Sequence, residues 1–208
     1  MRSVAISGLY AITPDSADTM NLLAMTELVL AGGATIVQYR NKIAGAALRQ
    51  EQAYLLAQLC RKYRAVFIIN DHVDLVIAVD ADGVHLGQDD GCIGDVRKKL
   101  SDEKIIGVSC YNQLNLAIDA AQQGADYVAF GAFFASSTKP DAVTASTDLL
   151  CTAKQKLNVP IVTIGGITLT NAAALIDLGG DAIAVSNALY GAQDTQSTAK
   201  AFSQLFCE

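Results

Sequence analysis

The chain has 208 residues, of which 51% are hydrophobic and 17% are charged, and its formal net charge is −6. This length, with a mean hydropathy of +0.30, predicts one folded domain over residues 1–208 and excludes a disordered or collagen-like chain. An acidic chain without a run of Lys and Arg predicts no nucleic-acid partner, because phosphate neutralisation needs clustered positive charge.

The cysteines predict a reducing environment. Cys60, Cys92, Cys110, Cys151 and Cys207 form no CxxC pair. An odd number without paired spacing predicts neither a zinc site nor a disulfide framework. We therefore expect a cytoplasmic protein with five buried thiols that act as small apolar side chains.

One uncharged stretch, Asn158–Ile176, has the length of a membrane span. It contains Pro160 and Gly165–Gly166, which fit a strand, a glycine turn and a helix better than a bilayer helix. The N-terminal segment lacks the continuous apolar core of a signal peptide. We therefore expect no membrane partner.

Apolar runs of strand length alternate with segments of helical periodicity along the whole chain. The predicted strands are Gly8–Thr13, Thr35–Arg40, Val66–Asn70, Gly83–Leu86, Ile105–Ser109, Tyr127–Gly131, Ile161–Ile164 and Ala182–Val185. The predicted helices are Ala17–Ala31, Gly45–Lys62, Val73–Val79, Ile93–Leu100, Asn112–Gln123, Thr147–Leu157, Thr170–Leu178 and Thr195–Phe206.

Eight alternating units predict an α/β fold, a (βα)₈ TIM barrel in a single domain. A doubly wound open sheet is the alternative, although it usually has fewer strands. No G-x-G-x-x-G follows the first strand and no G-x-x-x-x-G-K-[ST] occurs, so neither a dinucleotide site nor a P-loop is supported. In a barrel, functional residues are expected at the carboxyl ends of the strands.

The second predicted strand ends in three polar residues at alternate positions, Gln38, Arg40 and Lys42. Alternation predicts that all three point to one side. Two cations beside an amide suit a phosphate or diphosphate. A solvated strand end is the simpler alternative.

Carboxylates follow the next two predicted strands. Asn70-Asp71 ends the third strand, and the fourth runs into Asp90. Neighbouring parallel strands would bring Asp71 and Asp90 together, and the two carboxylates would repel each other unless a cation lay between them. Mg²⁺ is the natural candidate, because it binds a few carboxylates and completes its coordination shell with water and phosphate oxygens. The alternative is that Asn70 or Asp71 is only the N-cap of the next helix.

Two later loops also predict anion binding. The loop after the sixth strand contains Ser136, Thr138 and Lys139, which suggests a lid over an anion, with a flexible surface loop as the alternative. Gly166 follows the seventh strand, and Ser186 follows the eighth before a short helix start. Glycines and a helix start at these two places form a recurrent phosphate site of barrels.

Neither histidine is assigned to acid–base chemistry by its surroundings in the sequence. His85 lies within an apolar strand, which favours a satisfied wall residue, and His72 is expected in the first turn of a helix. Spacing alone assembles no Ser-His-Asp or Cys-His arrangement.

These residues, in this order, resemble the thiamine-phosphate synthase family along nearly the whole chain. The matching segments are Gly8-Leu9-Tyr10-Ala11-Ile12-Thr13, Gln38-x-Arg40-x-Lys42, Asn70-Asp71, Asp82–Asp90, Gly107-Val108-Ser109, Ser136-Ser137-Thr138-Lys139, Gly165-Gly166-Ile167 and Val185-Ser186. The resemblance implies a barrel enzyme that joins hydroxymethylpyrimidine diphosphate to hydroxyethylthiazole phosphate, or its carboxylated form, giving thiamine phosphate and pyrophosphate.

The resemblance also implies roles for individual residues. The pyrimidine diphosphate would be held by Gln38, Arg40, Lys42, Asn70, Ser109 and Lys139, with Arg40, Lys42, Ser109 and Lys139 as the catalytic set. Mg²⁺ would be held by Asp71 and Asp90, and the thiazole phosphate by Ser136, Thr138, Gly166, Val185 and Ser186. Many relatives have Pro-Thr where this chain has Ala135-Ser136. The chain therefore departs from the family pattern in the loop after the sixth strand, and the loss of the proline bears on how this loop closes.

Two other functions stay open at this point. A related barrel branch isomerises the thiazole phosphate without coupling it, and by the same resemblance favours a His where this chain has Tyr111. A non-catalytic sensor of phosphate ligands would need the anion sites but no paired metal carboxylates. The sequence leaves the oligomeric state open, a homo-oligomer included.

Overall fold

The computed structural model describes residues 6–87, 90–135 and 144–207, and within them eight parallel strands close into a barrel. The strands are β1 (Gly8–Ile12), β2 (Ile36–Tyr39), β3 (Val66–Asn70), β4 (Gly83–Leu86), β5 (Ile105–Tyr111), β6 (Tyr127–Phe130), β7 (Ile161–Ile164) and β8 (Ala182–Val185). The helices are α1 (Thr19–Ala31), α2 (Ala46–Tyr63), α3 (Val73–Val79), α4 (Ile93–Lys99), α5 (Leu114–Gln122), α6 (Thr147–Lys156), α7 (Ala172–Asp177), α8 (Asn187–Tyr190) and α9 (Thr195–Gln204).

Each strand pairs in parallel with the next one, and β8 pairs with β1 to close the ring. The prediction of a (βα)₈ barrel is therefore confirmed, and the doubly wound alternative is wrong. All eight strands and the helices were located, with differences of a few residues at most at their ends. The stretch suspected of spanning a membrane forms β7 and α7, as predicted. None of the helices described is both long and apolar enough to span a bilayer.

The strands have an apolar side chain on each face, which explains their continuous apolar runs. One core lies between the strands and the surrounding helices and includes Leu9, Val37 and Ile183. A smaller core fills the inside of the barrel and includes Tyr10, Ile36 and Tyr127. Because side chains alternate across a strand, the position of a residue on its strand decides which core it enters.

The expectation that all five cysteines are buried is wrong for two of them. All five are free thiols; Cys60 and Cys110 are buried and Cys151 is partly buried, whereas Cys92 and Cys207 are exposed. Cys92 is the residue before α4, and Cys207 follows α9 near the end of the chain. Residues that flank the end of a helix are often not covered by a neighbouring element. Residue type alone does not show that a cysteine occupies such a position.

Candidate active site

A cavity of about 220 Å³ lies at the carboxyl ends of β2 and β3. Its lining residues are Tyr39, Asn41, Lys42, Arg49, Asn70, Asp71 and His72. Three of the sequence-predicted residues, Lys42, Asn70 and Asp71, therefore come together at the end of the barrel where function was expected. The lining side chains all bear polar groups and include both signs of charge.

The loop after β2 is held by residues of the loop after β1. The Thr13 hydroxyl donates to the Arg40 carbonyl at 3.1 Å and accepts from the Arg40 N–H at 2.9 Å. Asp15 accepts from the Lys42 N–H at 2.7 Å and lies 3.6 Å from the Arg40 guanidinium. Sequence reasoning gave neither residue a role in the site, although Thr13 ends one of the segments shared with the family.

The expectation that Gln38, Arg40 and Lys42 form one row on a strand is wrong, because β2 ends at Tyr39. Gln38 is buried inside the barrel, whereas the Lys42 ammonium lies 3.9 Å from an Asp71 carboxylate oxygen. Gln38 thus lies apart from the two cations, which both act on Asp71, and the simple solvated strand end is wrong for Gln38.

Asp71 and Asp90 interact directly, as their places after β3 and β4 predicted. Burial, followed by a side-chain hydrogen bond and charge repulsion from Asp90, raises the pKa of Asp71 to about 6, while Lys42 and Arg40 act in the opposite direction. Asp90 also accepts from the Gly87 N–H at 2.7 Å, which fixes its carboxylate. At neutral pH the pair therefore concentrates negative charge at one point of a partly buried site.

The alternative role of Asn70 or Asp71 as a helix cap does not hold. The N-cap of α3 is His72, one residue before the first turn in which it was expected, and no side-chain hydrogen bond caps this helix. Asp71 instead has a left-handed backbone with φ of 63°. This conformation is tolerated by Asp more readily than by most residues, and here it belongs to a residue that lines the cavity.

Arg49 is a site residue that sequence reasoning missed. It lies in the first turn of α2, lines the cavity and donates through Nη2 to the Ala44 carbonyl at 2.7 Å. Its Nε is buried and has no hydrogen-bond partner among the described residues. An arginine that lines a cavity and has a buried donor without a partner suits an anionic ligand. Nothing in the local sequence separates Arg49 from an ordinary helical arginine.

A second group of polar side chains lies inside the barrel and forms a continuous hydrogen-bonded chain, which we call the interior chain. Gln38 Nε2 donates to Tyr10 Oη at 2.7 Å, and Tyr10 Oη lies 2.8 Å from Tyr127 Oη. Tyr127 Oη is 2.9 Å from His85 Nδ1, and His85 Nε2 is 2.8 Å from Ser109 Oγ. Five strands contribute one residue each, and both ends of the chain are predicted substrate-binding residues.

The middle of the interior chain is closed to water. Tyr127 is fully buried, Tyr10 is 1% exposed and His85 is 8% exposed. Burial lowers the pKa of His85 to about 4 and raises those of Tyr10 and Tyr127 well above the ordinary value. His85 is therefore neutral at physiological pH, and both phenols keep their protons.

The structure assembles a Ser–His pair that spacing did not reveal, Ser109 and His85. The second ring nitrogen of His85 faces a phenol and not a carboxylate. An imidazole with a pKa of about 4 is a weak base, because burial outweighs the opposing charge of Asp90 and the ring nitrogens bond to hydroxyls and not to a carboxylate. The prediction that His85 is a satisfied wall residue is confirmed, and its partners are Tyr127 and Ser109.

Ser109 also borders a second cavity of about 210 Å³ at the ends of β4 and β5. Leu86 and Val108 line the same cavity together with Ile93 of α4 and Asp119 and Ala120 of α5, so the cavity lies between the two strands and these helices.

The predicted phosphate cup lies at the ends of β7 and β8, which β1 separates from the cavity at β2 and β3. Gly166 follows β7 with φ of 61°, and a Cβ there would lie 2.5 Å from the Ala135 carbonyl oxygen. Glycine at position 166 thus leaves space for the backbone of the loop after β6, and the absence of a side chain would also let a ligand approach the backbone. Ser186 is the N-cap of the short helix α8, which confirms the predicted helix start.

Val185 fits its predicted role only through its backbone. Its side chain is 3% exposed and packs in the core between the strands and the helices. Ala184 faces the barrel interior. Because side chains alternate along a strand, the sequence could have predicted that the Val185 side chain faces the helices. The remaining predicted residues, Ser136, Thr138 and Lys139, lie outside the described residues.

Known proteins resemble this chain over nearly its full length. A family model described as thiamine monophosphate synthase matches residues 9–189. A protein named thiamine-phosphate synthase from Nitrosospira multiformis is 58% identical over 201 residues, covering 97% of this chain and 86% of that protein. A protein of the same name from Nitrosomonas eutropha is 55% identical over 207 residues, covering 100% and 98%. The solved structure of thiamine phosphate pyrophosphorylase from Pyrococcus furiosus is 34% identical, with a TM-score of 0.87 over 97% of this chain and 96% of that one.

Proposed function

The chain belongs to the thiamine monophosphate synthase family, and from that membership we propose that it couples a hydroxymethylpyrimidine diphosphate to a hydroxyethylthiazole phosphate. The products are thiamine phosphate and pyrophosphate, with CO₂ as well when the carboxylated thiazole is used. This places the enzyme in thiamine biosynthesis, and we expect it to act in the cytoplasm.

One observation carries the proposal: the Asp71–Asp90 carboxylates meet beside a cavity that Lys42 and Arg49 also line. A metal bound by carboxylates next to cations is the arrangement needed to hold a diphosphate and stabilise its departure. A sensor that only bound phosphate would have no use for paired carboxylates.

The residues present fit Mg²⁺. Among the described residues no group of three or more His, Cys, Asp or Glu side chains is arranged for a metal ion. Two carboxylates completed by water and phosphate oxygens are the coordination that Mg²⁺ prefers. When bound, the ion would neutralise charge that develops on the leaving pyrophosphate.

The diphosphate takes the cavity between β2 and β3. Lys42 supplies a point charge, Asn70 an amide, and Arg49 a buried N–H without a partner in the described chain. Arg40, held by Thr13 and Asp15, adds a second guanidinium at the rim. Lys139 stays a predicted contact of the same diphosphate.

The thiazole phosphate takes the cup formed by Gly166 and Ser186. Backbone N–H groups and the start of α8 supply its contacts, and Val185 contributes only backbone. Ser136 and Thr138 stay predicted contacts from the loop after β6. The two phosphate-bearing substrates thus bind at different strand ends of one barrel end, with β1 between them.

The chemistry proceeds without a protein nucleophile. His85 is too weakly basic to activate Ser109, so the attacking group is the thiazole nitrogen. We expect the pyrimidine methylene to lose pyrophosphate largely before this attack, since the cations, and the Mg²⁺ that Asp71 and Asp90 would hold, would stabilise the charge of the leaving group. The barrel holds the reactants close and excludes water.

The test is formation of thiamine phosphate from both substrates, with Mg²⁺ and after its removal by a chelator. Asp90→Ala should lower metal-dependent activity by on the order of a hundredfold or more. Asp95→Ala, which removes an exposed carboxylate on α4 paired with Lys98, is the matched control and should change little. Absence of product, or an unchanged Mg²⁺ dependence in Asp90→Ala, would refute the proposal.

The order of bond breaking has its own test. An electron-withdrawing substituent on the pyrimidine should slow the chemical step by several powers of ten, at roughly 1.4 kcal/mol per tenfold, if a cation develops. Single-turnover rates at saturating substrate remove binding from the comparison. A rate that is insensitive to the substituent indicates concerted displacement or another slow step.

A further inference from the structure

Gln52 is a polar side chain in the middle of α2, and it is fully buried. Such a position is stable only when the amide makes hydrogen bonds, because an unsatisfied polar group inside a protein is costly. Gln52 Oε1 accepts from the Tyr39 hydroxyl at 2.8 Å and from Asn41 Nδ2 at 2.9 Å. Gln52 Nε2 donates to the Ser16 carbonyl at 3.1 Å and to Thr19 Oγ1 at 3.5 Å. Both lone pairs and both hydrogens of the amide are therefore used.

These partners join the loop that carries two cations of the candidate site to the loop after β1. Ser16 lies in the loop after β1, and Asn41 lies between Arg40 and Lys42 in the loop after β2. Asn41 is buried as well, and its Nδ2 also donates to the Ser16 carbonyl at 2.6 Å. Gln52, Asn41 and Ser16 thus form a closed triangle of hydrogen bonds, which we call the loop brace.

The loop brace supplies support that the sheet does not give. β2 ends at Tyr39, so Arg40 and Lys42 lie beyond the paired part of the strand. Thr13 and Asp15 accept from the backbone N–H groups of these two residues. The loop brace binds the buried side chain of the residue between them. With both N–H groups and the intervening side chain bound, the backbone that carries the two cations is held in one place.

We propose that Gln52 is a positioning residue for a diphosphate ligand and acts through Asn41. Its amide holds the loop of Arg40 and Lys42, so both cations are in place before the phosphate groups arrive. Gln52 has no exposed surface, whereas its partners Tyr39 and Asn41 line the cavity. Cations fixed beforehand bind an anion more strongly, because less conformational entropy is lost on binding. The ligand is the pyrimidine diphosphate if the proposed function holds, on which this part rests.

Glutamine suits this place because the loop brace needs an acceptor and a donor on one group. An ionised glutamate would still accept from Tyr39 and Asn41, but it has no hydrogen to donate to the Ser16 carbonyl. A methionine fills similar space and makes no hydrogen bond of comparable strength. Gln52→Glu and Gln52→Met therefore remove half and all of the hydrogen bonds of this side chain.

Binding of inorganic pyrophosphate in the presence of Mg²⁺, followed by isothermal titration calorimetry, measures the effect without turnover. Gln52→Met should raise the Kd about tenfold, as for the loss of one hydrogen bond to a charged group. Thr26→Val is the matched control, because it removes an equally buried hydroxyl that donates to the Leu22 carbonyl at 2.7 Å within α1. It should leave the Kd unchanged. Equal affinities of Gln52→Met and the wild-type protein would overturn the proposal.

Steady-state kinetics separates positioning from a general loosening of the fold. In Gln52→Met the KM for the pyrimidine diphosphate should rise about tenfold, and the KM for the thiazole phosphate should stay unchanged. An equal rise of both KM values would show a merely structural role and count against the proposal. If Gln52→Met does not fold, Gln52→Glu takes its place, and the same split between the two substrates is expected.

A double-mutant cycle tests the route through Asn41. In an Asn41→Ala background, Gln52→Met should have almost no further effect on the Kd for pyrophosphate. Effects that multiply independently in the double mutant would contradict this route.

Amide hydrogen exchange tests the positioning in the wild-type protein. The N–H groups of Arg40, Lys42 and Ile43 are each bound to a side-chain oxygen. We expect them to exchange slowly in the ligand-free protein, with little further slowing when pyrophosphate and Mg²⁺ are added. A loop that becomes protected only with the ligand bound would overturn the proposal, whether or not the Gln52 variants fold.

The proposed function and the positioning role can fail separately. A wild-type protein that binds pyrophosphate but forms no thiamine phosphate refutes the proposed function, and the same Kd comparison still decides the role of Gln52. Product formation with equal pyrophosphate affinity of Gln52→Met and the wild-type protein refutes the positioning role alone. A wild-type protein that binds no pyrophosphate in the presence of Mg²⁺ refutes both.

Discussion

Gly107 makes room for the interior chain, and replacing it with alanine should disrupt the chain from within the barrel wall. Gly107 pairs with His85 on one side and with Tyr127 on the other. A Cβ on Gly107 would lie 1.9 Å from Tyr127 Cζ and 2.4 Å from Tyr127 Oη. Carbon atoms in contact prefer roughly 3.5–4.0 Å, so the ring would have to move by about 1.5 Å or more.

The cost follows from the burial of that ring. Overpacking a full core typically costs about 1–3 kcal/mol. The moved hydroxyl would also leave Tyr10 and His85, and an unsatisfied buried polar group costs about 1–3 kcal/mol. We therefore expect Gly107→Ala to lower the free energy of unfolding by roughly 3–5 kcal/mol, with kcat reduced wherever the protein remains folded.

Urea unfolding followed by circular dichroism measures this loss. Gly94→Ala is the matched control, because only Cys92 Sγ, at 4.0 Å, lies near a Cβ built at that helical position. It should stabilise the protein by up to about 1 kcal/mol. A double mutant of Gly107→Ala with Tyr127→Leu should cost less than the two changes added together. A Gly107→Ala protein within about 1 kcal/mol of wild type, or strict additivity, would refute the steric reasoning.

Three other changes test the site. Asp71→Asn should stabilise the metal-free protein by roughly 1–2 kcal/mol at pH 7.5, after allowance for solvent screening, and hardly at pH 4. The reason is that the pKa of Asp71 in the folded protein is raised to about 6. Its protonated carboxyl therefore favours folding at low pH, and this contribution to the free energy of unfolding is lost as the pH rises through 6. Urea unfolding at both pH values measures it, and equal effects would contradict the assignment. Arg49→Gln should raise KM for the pyrimidine diphosphate about tenfold, because a charge-assisted contact is lost. Arg64→Gln, at the other end of α2, is the control and should leave this KM unchanged. If Arg49→Gln and the wild-type protein have the same KM, Arg49 does not belong to the site. Gly166→Ala should raise KM for the thiazole phosphate by displacing the loop after β6, while Gly124→Ala, with a positive φ but open space, should cost only stability; unchanged preference for the phosphorylated thiazole over its alcohol would contradict this role.

The sequence alone determined the barrel and the end of it that carries function. Buried parallel strands are apolar on both faces, so each appears as a short continuous apolar run that can be found without a partner. Polar residues directly after such runs, Lys42, Asp71 and Asp90 among them, must lie at one end of a parallel barrel because all strands point the same way. The contact of Asp71 with Asp90 followed from strand order for the same reason.

Which side chains meet inside the barrel depends on the three-dimensional fold and could not be predicted from the sequence. Tyr10 and Tyr127 are 117 positions apart and belong to strands that are not neighbours, yet their hydroxyls bond at 2.8 Å. Alternation shows which face a residue takes, but the stagger of the strands on closure sets the height at which it sits. The pairing of His85 with Ser109, the buried Nε of Arg49 and the loop that passes over Gly166 depend on that three-dimensional register, for which a single chain carries no local pattern.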